Sequence, residues 1–172
     1  WQDAIFRTAA LSSYDLGFSG GDDDTRYYLS GNLLQSEGIV IGTNMDRGSV
    51  RLNLDQDISD KFRVGTRTTF SRSDGQVLAN GGAGLETAST VLNAILAPPT
   101  LPIYTESGEY FTGVNMLTGR VFSNPVATAL EITNEERQNR LVGNLFGEYD
   151  LMEGLRLRST FGIDFLSSLQ NF

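Results

Sequence analysis

Hydrophobic and polar residues alternate one by one through two stretches of residues 47–73, which a short polar turn separates. The hydrophobic positions of these stretches are Val50, Leu52, Leu54, Phe62, Val64 and Phe70. The charged residues Arg51, Asp55, Arg63 and Arg67 lie at the intervening positions. Because successive side chains of a β-strand point to opposite faces, this pattern predicts an antiparallel hairpin with one apolar and one polar face.

The same alternation predicts four further strands, which gives six long strands in three hairpins. The predicted strands lie near residues 10–19, 25–35, 47–56, 61–73, 137–149 and 155–166. In the last strand, Leu155, Leu157, Phe161, Ile163 and Phe165 alternate with Arg156, Arg158 and Asp164. Soluble strands usually have about 5–6 residues, whereas tilted strands of about 9–11 residues cross a bilayer. The predicted fold class is therefore all-β: six long antiparallel strands that form part of a transmembrane β-barrel.

The alternation stops in residues 74–133, a segment too long for an ordinary connection, so we expect a structured outer loop. One short helix is predicted there by five residues at helical spacing, Leu85, Ala88, Val91, Leu92 and Ile95. Pro98 and Pro99 would end that helix. Residues 100–112 predict a small hairpin, and Asn124-Pro125 indicates a further turn. Tyr104, Tyr110 and Phe111 could contact a ligand or a lid protein, or pack the loop against its own helix, and we favour packing.

The connections are short near residues 20–24, 57–60 and 150–154, and long at residues 36–46 and 74–133. Outer-membrane barrels have short turns on the periplasmic side and longer loops on the extracellular side. We therefore expect the polar positions to face the lumen: Arg51, Asp55, Arg63, Arg67, Arg156, Arg158 and Asp164. The apolar positions are expected to face lipid or a partner protein: Val50, Leu52, Leu54, Phe62, Val64, Phe70, Leu155, Leu157, Phe161, Ile163 and Phe165.

Composition removes several classes of function. The net charge of the 172 residues is −8, which argues against a nucleic-acid partner. With no Cys and no His, the usual zinc ligands and the commonest general base are missing. We therefore expect that the protein is not an enzyme and binds no cofactor. Asp22, Asp23 and Asp24 could bind calcium, but they lack the spaced ligands of a known loop, and a solvated turn is the favoured interpretation.

Four segments carry a resemblance to a known family: WQDAIFRTA, LGFSGGDDDTRYYLSGNLLQSEGIVIGTNMDRGSVRLNLD, NPVATALE and NRLVGNLFGEYDLMEGLRLRSTFGIDF. In this order they resemble the barrel of SusC/RagA-type TonB-dependent outer-membrane transporters, over essentially the whole chain. The resemblance implies a bacterial outer membrane of the Bacteroidota type, uptake of glycans or peptides, a SusD-like surface lipoprotein and energy from TonB. Six strands cannot close a barrel of about 22, so we expect an internal part of a longer or processed protein.

Two alternatives remain open at this stage. A fragment with two unpaired sheet edges could self-assemble into a homo-oligomer or filament with a structural role. A secreted β-sandwich adhesin is a weaker hypothesis, since uniformly long strands and one-sided loops argue against it.

Overall fold

The computed structural model describes residues 1–78, 90–115, 119–132 and 134–171. The helices are α1 (Gln2–Ile5), α2 (Thr90–Leu96) and α3 (Pro125–Glu131). The strands are β1 (Leu11–Gly21), β2 (Thr25–Glu37), β3 (Asn44–Ser59), β4 (Phe62–Gln76), β5 (Gly113–Asn115), β6 (Arg120–Phe122), β7 (Glu135–Met152) and β8 (Leu155–Asn171). None of the helices in the described part of the chain has the length and hydrophobicity that a transmembrane helix needs.

Six long strands form one antiparallel sheet in the order β1-β2-β3-β4-β7-β8, which confirms the predicted fold class. Each strand pairs with its neighbour in sequence, except that β4 and β7 pair across the long loop. The strands extend beyond the predicted bounds; β7, for example, has 18 residues. Most of the extra residues are polar, as in the pair Asn44 and Gln76, so they continue the backbone ladder without a regular hydrophobic alternation. Strands β1 and β8 lie at the two ends of the sheet.

Three short turns connect the strands at one end of the sheet. In the β1–β2 turn, an Asp22 carboxylate oxygen accepts hydrogen bonds from the backbone N–H groups of Asp24 at 3.0 Å and Thr25 at 2.7 Å. The β7–β8 turn contains Gly154 at φ 81°, a conformation that glycine adopts without steric cost. Among the residues described, no group of three or more acidic side chains could hold a metal ion. The two hydrogen bonds to Asp24 and Thr25 give Asp22 a role in the turn itself.

At the opposite end, described parts of the other connections form with α1 a small unit that we call the loop unit: α1, residues 38–43, α2, residues 98–112 and α3. Its buried core is formed by Ile5, Val40, Ala94 and Val126. The indole N–H of Trp1 donates a hydrogen bond of 2.9 Å to the carbonyl of Pro98 and so joins the start of the chain to the end of α2. The long sheet and this compact unit are thus stabilised differently, the first by backbone ladders and the second by an apolar core.

The described part of the long loop contains two helices rather than one. Val91, Leu92 and Ile95 lie in α2, as predicted, whereas Leu85 and Ala88 lie outside the described residues. The sequence Asn124-Pro125, interpreted above as a turn, begins α3. The Asn124 side chain accepts hydrogen bonds from Val126 N at 3.0 Å and Ala127 N at 3.3 Å, and Pro125 occupies the first helical turn, where no N–H is needed.

Candidate functional site

The strand register sorts the predicted site residues into two faces of the sheet. Directly opposed residues of antiparallel strands share a face. Val50 is opposite Phe70, Phe70 is opposite Leu141, and Leu141 is opposite Phe165, so these apolar residues form one row. The remaining predicted lipid- or partner-facing residues have the same parity, and the predicted lumen-facing residues all lie on the other face.

The apolar face is exposed over nearly its whole area. Phe161 retains 71% of its accessible surface, and Leu16, on the same face of β1, retains 70%. Monomeric soluble proteins rarely expose contiguous apolar patches of more than a few hundred Å². This face therefore requires an apolar environment outside the described chain.

The polar face carries arginine–carboxylate pairs on neighbouring strands. An Arg67 guanidinium N–H donates to Asp55 at 2.6 Å, and an Arg158 N–H donates to Glu148 at 2.7 Å. Further pairs on this face are Arg63 with Asp57, Arg156 with Asp150 and Arg140 with Asp164. Opposite charges placed side by side keep this face nearly neutral while leaving it hydrated, because most of these side chains are half-exposed.

One aromatic side chain is buried within the polar face, and its neighbours form what we call the Phe146 cluster: Asp55, Arg67, Phe146, Glu148 and Arg158. Phe146 is only 8% exposed, although it lies on a single open sheet. The Arg158 guanidinium carbon lies 4.3 Å from the ring centroid and that of Arg67 lies 5.8 Å away. Both distances are within the range of cation–π attraction. The two arginines thus cover the ring while their charges are paired with the carboxylates.

The space for the Phe146 ring is provided by Gly65, which lies directly opposite on β4. A Cβ at Gly65 would lie 2.5 Å from two carbons of the ring. Phe146 and Glu148 are not among the residues predicted from the sequence to lie at the site. An apolar residue at a polar position of β7 is the feature of the sequence that could have indicated a role for Phe146. Its partners on β4 are defined by the register of the two strands, which the sequence pattern does not show.

The three loop aromatics do not form one surface. Tyr110 packs against the core of the loop unit, whereas Tyr104 is 49% exposed. The Tyr104 and Tyr110 ring centroids are 5.3 Å apart. Burial raises the pKa of the Tyr110 hydroxyl. Phe111 lies against Gly113 in the same loop. Packing of the loop thus accounts for Tyr110, and Tyr104 is the aromatic that is available to a partner.

Comparisons with known proteins agree with this architecture. No family model matches the chain. The chain is 35% identical to TonB-dependent receptor P3 of Formosa agariphila over 94% of its own length and 16% of the receptor's. It is 36% identical to TonB-dependent receptor P26 of the same organism over 99% of the chain and 16% of the receptor. The chain thus spans about a sixth of the relatives it matches.

Two further similarities extend the comparison. TonB-dependent receptor SusC of Bacteroides thetaiotaomicron is 26% identical over 99% of the chain and 18% of the receptor. Among solved structures, the RagAB peptide importer in the 'closed-closed' state superposes with a TM-score of 0.72 at 23% identity, over 98% of this chain and 19% of that one. A second structure of the RagAB peptide transporter gives a TM-score of 0.73. At this identity the structural likeness concerns the fold alone.

The chain is homologous to a segment of the TonB-dependent receptors, which are outer-membrane proteins. Within that class, the match to SusC and the fold shared with RagAB confirm the resemblance to the SusC/RagA family. The relatives are named as receptors and the structural neighbours as importers or transporters, none as an enzyme. The self-assembly hypothesis gains no support from these relatives.

Proposed function

We propose that the chain forms part of the barrel wall of a TonB-dependent outer-membrane importer for glycans or peptides. The observation that carries the proposal is the division of one long sheet into an apolar face that stays exposed and a polar face of ion pairs. A membrane barrel needs this arrangement, because its outer surface contacts hydrocarbon and its inner surface contacts water or an internal domain. In the whole protein, the edges at β1 and β8 would pair with further strands.

The orientation of the two faces can be tested with two adjacent residues of β8. The described part of β8 places Thr160 on the polar face and Phe161 on the apolar face, and both are exposed. The chain has no Cys, so single cysteines report cleanly once any others in the full-length protein are replaced. In intact outer membranes, a charged thiol reagent should label Thr160→Cys, and a lipid-soluble reagent should label Phe161→Cys.

The neighbouring position provides the control for each variant, since both lie at the same depth in the same strand. Equal labelling of both variants by the charged reagent would contradict a lipid-facing apolar surface. If the charged reagent labelled Phe161→Cys and not Thr160→Cys, the two faces would have the orientation opposite to the one proposed.

The loop unit is the proposed contact for a SusD-like surface lipoprotein, and TonB would supply energy from the opposite side of the membrane. Tyr104 is half-exposed on the loop unit, while Met152 is 67% exposed at the short-turn end. A photo-crosslinking amino acid at position 104 of the full-length receptor should capture the lipoprotein, and the same probe at position 152 should not. Capture from position 152 but not from position 104 would contradict the proposed contact, because the lipoprotein would then lie at the short-turn end of the barrel.

Import itself is tested by deleting the gene and measuring growth on defined oligosaccharides or peptides as the limiting nutrient. The deletion should abolish growth on one of these classes, and a plasmid copy should restore it. Unchanged growth and unchanged uptake of labelled oligosaccharides and peptides would refute the proposed function.

A further inference from the structure

Two arginines of the polar face lack the carboxylate partners that most arginines of this face have. Arg47 and Arg51 of β3 form no ion pair with any residue that the structure describes. A third arginine without an ion pair, Arg26, differs from them because it lies directly opposite Asp55. The residues opposite Arg47 and Arg51 on the two neighbouring strands carry no charge: Leu34, Ser73, Ser30 and Thr69.

The surroundings of these two arginines do not compensate their charge. Ser49 lies between them on β3, and the polar-face residues beside them, from 30 to 34 on β2 and from 69 to 73 on β4, are all neutral. Asp15 shares a row with Ser49 but lies two strands away on β1, about 10 Å across the sheet. Its carboxylate accepts a hydrogen bond of 2.8 Å from the Asn32 side chain. We call Arg47, Ser49, Arg51 and the residues opposite them the Arg47–Arg51 strip, a positive strip on a chain whose net charge is −8.

Both guanidinium groups have donors available for a ligand. Arg47 and Arg51 are exposed, and Arg51 donates one hydrogen bond, of 3.3 Å, to the Thr69 hydroxyl. Since a guanidinium has five N–H donors, most of its capacity remains. Four residues separate the two arginines along β3, which places their backbones about 13 Å apart on one face. Their long side chains can therefore contact neighbouring groups of one extended anionic ligand.

A cavity of about 360 Å³ adjoins the strip, and its lining includes Asp15, Tyr28, Asn32 and Arg51. The Tyr28 ring lies against the backbone of Gly17, where a Cβ would be 3.2 Å from its hydroxyl oxygen and 3.5 Å from a ring carbon. The cavity thus presents an apolar ring beside amide, carboxylate and guanidinium groups. A sugar has the matching features, because its ring has an apolar face and its hydroxyls both donate and accept hydrogen bonds.

We propose that the Arg47–Arg51 strip and this cavity bind an oligosaccharide that carries carboxylate or sulfate groups as it passes through the barrel. The proposal rests on the proposed function, because it requires the polar face to line the lumen. Arginine suits such anions, since its N–H groups can bind two oxygens of one group at once. The polar lining fits sugar hydroxyls better than the apolar side chains of a peptide. The strip lies nearer the loops than the Phe146 cluster, so a ligand that enters from the loop end meets it first.

The test measures uptake of labelled probes by cells that carry the full-length receptor and by cells that lack its gene. Two acidic probes are each paired with their neutral form: oligogalacturonate with its methyl ester, and a sulfated galactan oligosaccharide with its desulfated form. The first pair reports on carboxylate and the second on sulfate. We expect receptor-dependent uptake of at least one acidic probe, with uptake of its neutral form at least about tenfold weaker, the loss expected for one charged hydrogen bond. Receptor-dependent uptake confined to the neutral probes, or to a peptide such as tetraglutamate, would overturn the proposal.

Variants of the strip assign the preference to its arginines. Arg51→Gln should raise the concentration of the acidic probe at half-maximal uptake at least about tenfold, and Arg51→Lys, which keeps the charge, should raise it less. The double variant Arg47→Gln/Arg51→Gln should remove the preference for the acidic form. Arg72→Gln is the matched control: Arg72 lies opposite Gly48, at the same height, but on the apolar face, where it donates to Asp74 at 2.7 Å. This variant removes the same charge and should leave uptake unchanged.

Each further outcome has a defined meaning once equal amounts of the variants in the outer membrane are confirmed. Equal effects of Arg51→Gln and Arg72→Gln would overturn the proposal, because net charge alone would then explain them. An unchanged preference in the double variant would also overturn it, and a lowered denaturation midpoint of that variant would assign the strip to contact with an internal domain. Receptor-dependent uptake of neutral glycans or peptides would leave import intact while this proposal fails. Absence of receptor-dependent uptake of every glycan and peptide would refute import itself.

Discussion

Replacement of Gly65 by alanine tests whether Phe146 is packed as tightly as the structure indicates. The added Cβ would lie 2.5 Å from two ring carbons of Phe146 and 2.6 Å from an Asp55 carboxylate oxygen. Atoms cannot remain at these distances, so the ring must move away from the backbone of β4. Arg158 lies 4.3 Å above the ring centroid and opposes that movement. We expect a destabilisation of about 1–3 kcal/mol, the usual cost of inserting a methyl group into a well-packed site.

A double-mutant cycle identifies the cause. In a Phe146→Ala background the ring is absent, and of the three atoms nearest to the new methyl group only an Asp55 carboxylate oxygen, at the end of a flexible side chain, remains. The cost of Gly65→Ala should therefore fall by most of its value. Gly31→Ala is the matched control in β2, another strand of the same sheet. Its Cβ has no contact closer than 3.8 Å, so its effect should remain within about 0.5 kcal/mol.

The free energy of unfolding can be measured from denaturant titrations of the full-length receptor in detergent, with intrinsic fluorescence as the readout. The slope of each titration should be the same for all variants, which allows their midpoints to be compared. Wild-type stability of Gly65→Ala would refute the proposed packing. A cost that is the same with and without Phe146 would show that the methyl group clashes elsewhere.

Three further predictions concern the loop unit and the turns. Asn124→Ala should destabilise α3 by about 1 kcal/mol or more through loss of its cap, seen as faster amide hydrogen exchange in α3. Asn124→Asp should not restore protection, because its buried carboxylate would face the carbonyl of Ile103, to which the Asn124 amide donates. Gly42→Ala should lower the denaturant midpoint more than Gly154→Ala. Both glycines have positive φ, but a Cβ at Gly42 would lie 2.0 Å from Ala129 O, whereas a Cβ at Gly154 would meet no atom within 4 Å. A midpoint loss as large for Gly154→Ala would contradict this account. Because the pKa of Tyr110 is raised in the folded protein, its stabilising contribution is complete below the unfolded-chain pKa of about 10. That contribution is lost as pH rises through the folded pKa. Between pH 8 and pH 11, the Tyr110→Phe variant should therefore lose less stability than the wild type.

The alternation of residues was sufficient to predict the strands, because each hairpin has its own local pattern and a short turn. Pairing of β4 with β7 could not be inferred in the same way. These strands are separated by the long loop, and no local pattern defines their register. The contact between Gly65 and Phe146 depends on that register.

The helix α3 was missed for a different reason. Asn-Pro occurs both in turns and at the start of helices, where asparagine caps and proline fits the first turn. Only the residues after the proline distinguish a helix start from a turn, and α3 has only seven residues in which to show helical periodicity. Its tertiary contacts decide the conformation: Asn124 also donates to the carbonyl of Ile103 at 2.8 Å, which ties the helix start to the preceding loop.

The distribution of buried residues explains why this segment depends on the rest of a barrel. The apolar core cluster, which includes Ile5 and Val126, belongs to the loop unit, whereas nearly all large apolar side chains of the sheet remain exposed. In water, six paired strands would satisfy their internal backbone groups but leave two edges and an entire apolar face unpartnered. In a bilayer the same face is solvated by hydrocarbon, and each backbone hydrogen bond gains importance because no water can replace it. The Phe146 cluster shows the complementary solution on the other face, where ion pairs and a glycine allow one aromatic ring to be buried on a hydrated surface. The sheet is therefore built for an environment that is apolar on one side and polar on the other, and its stability should depend on both.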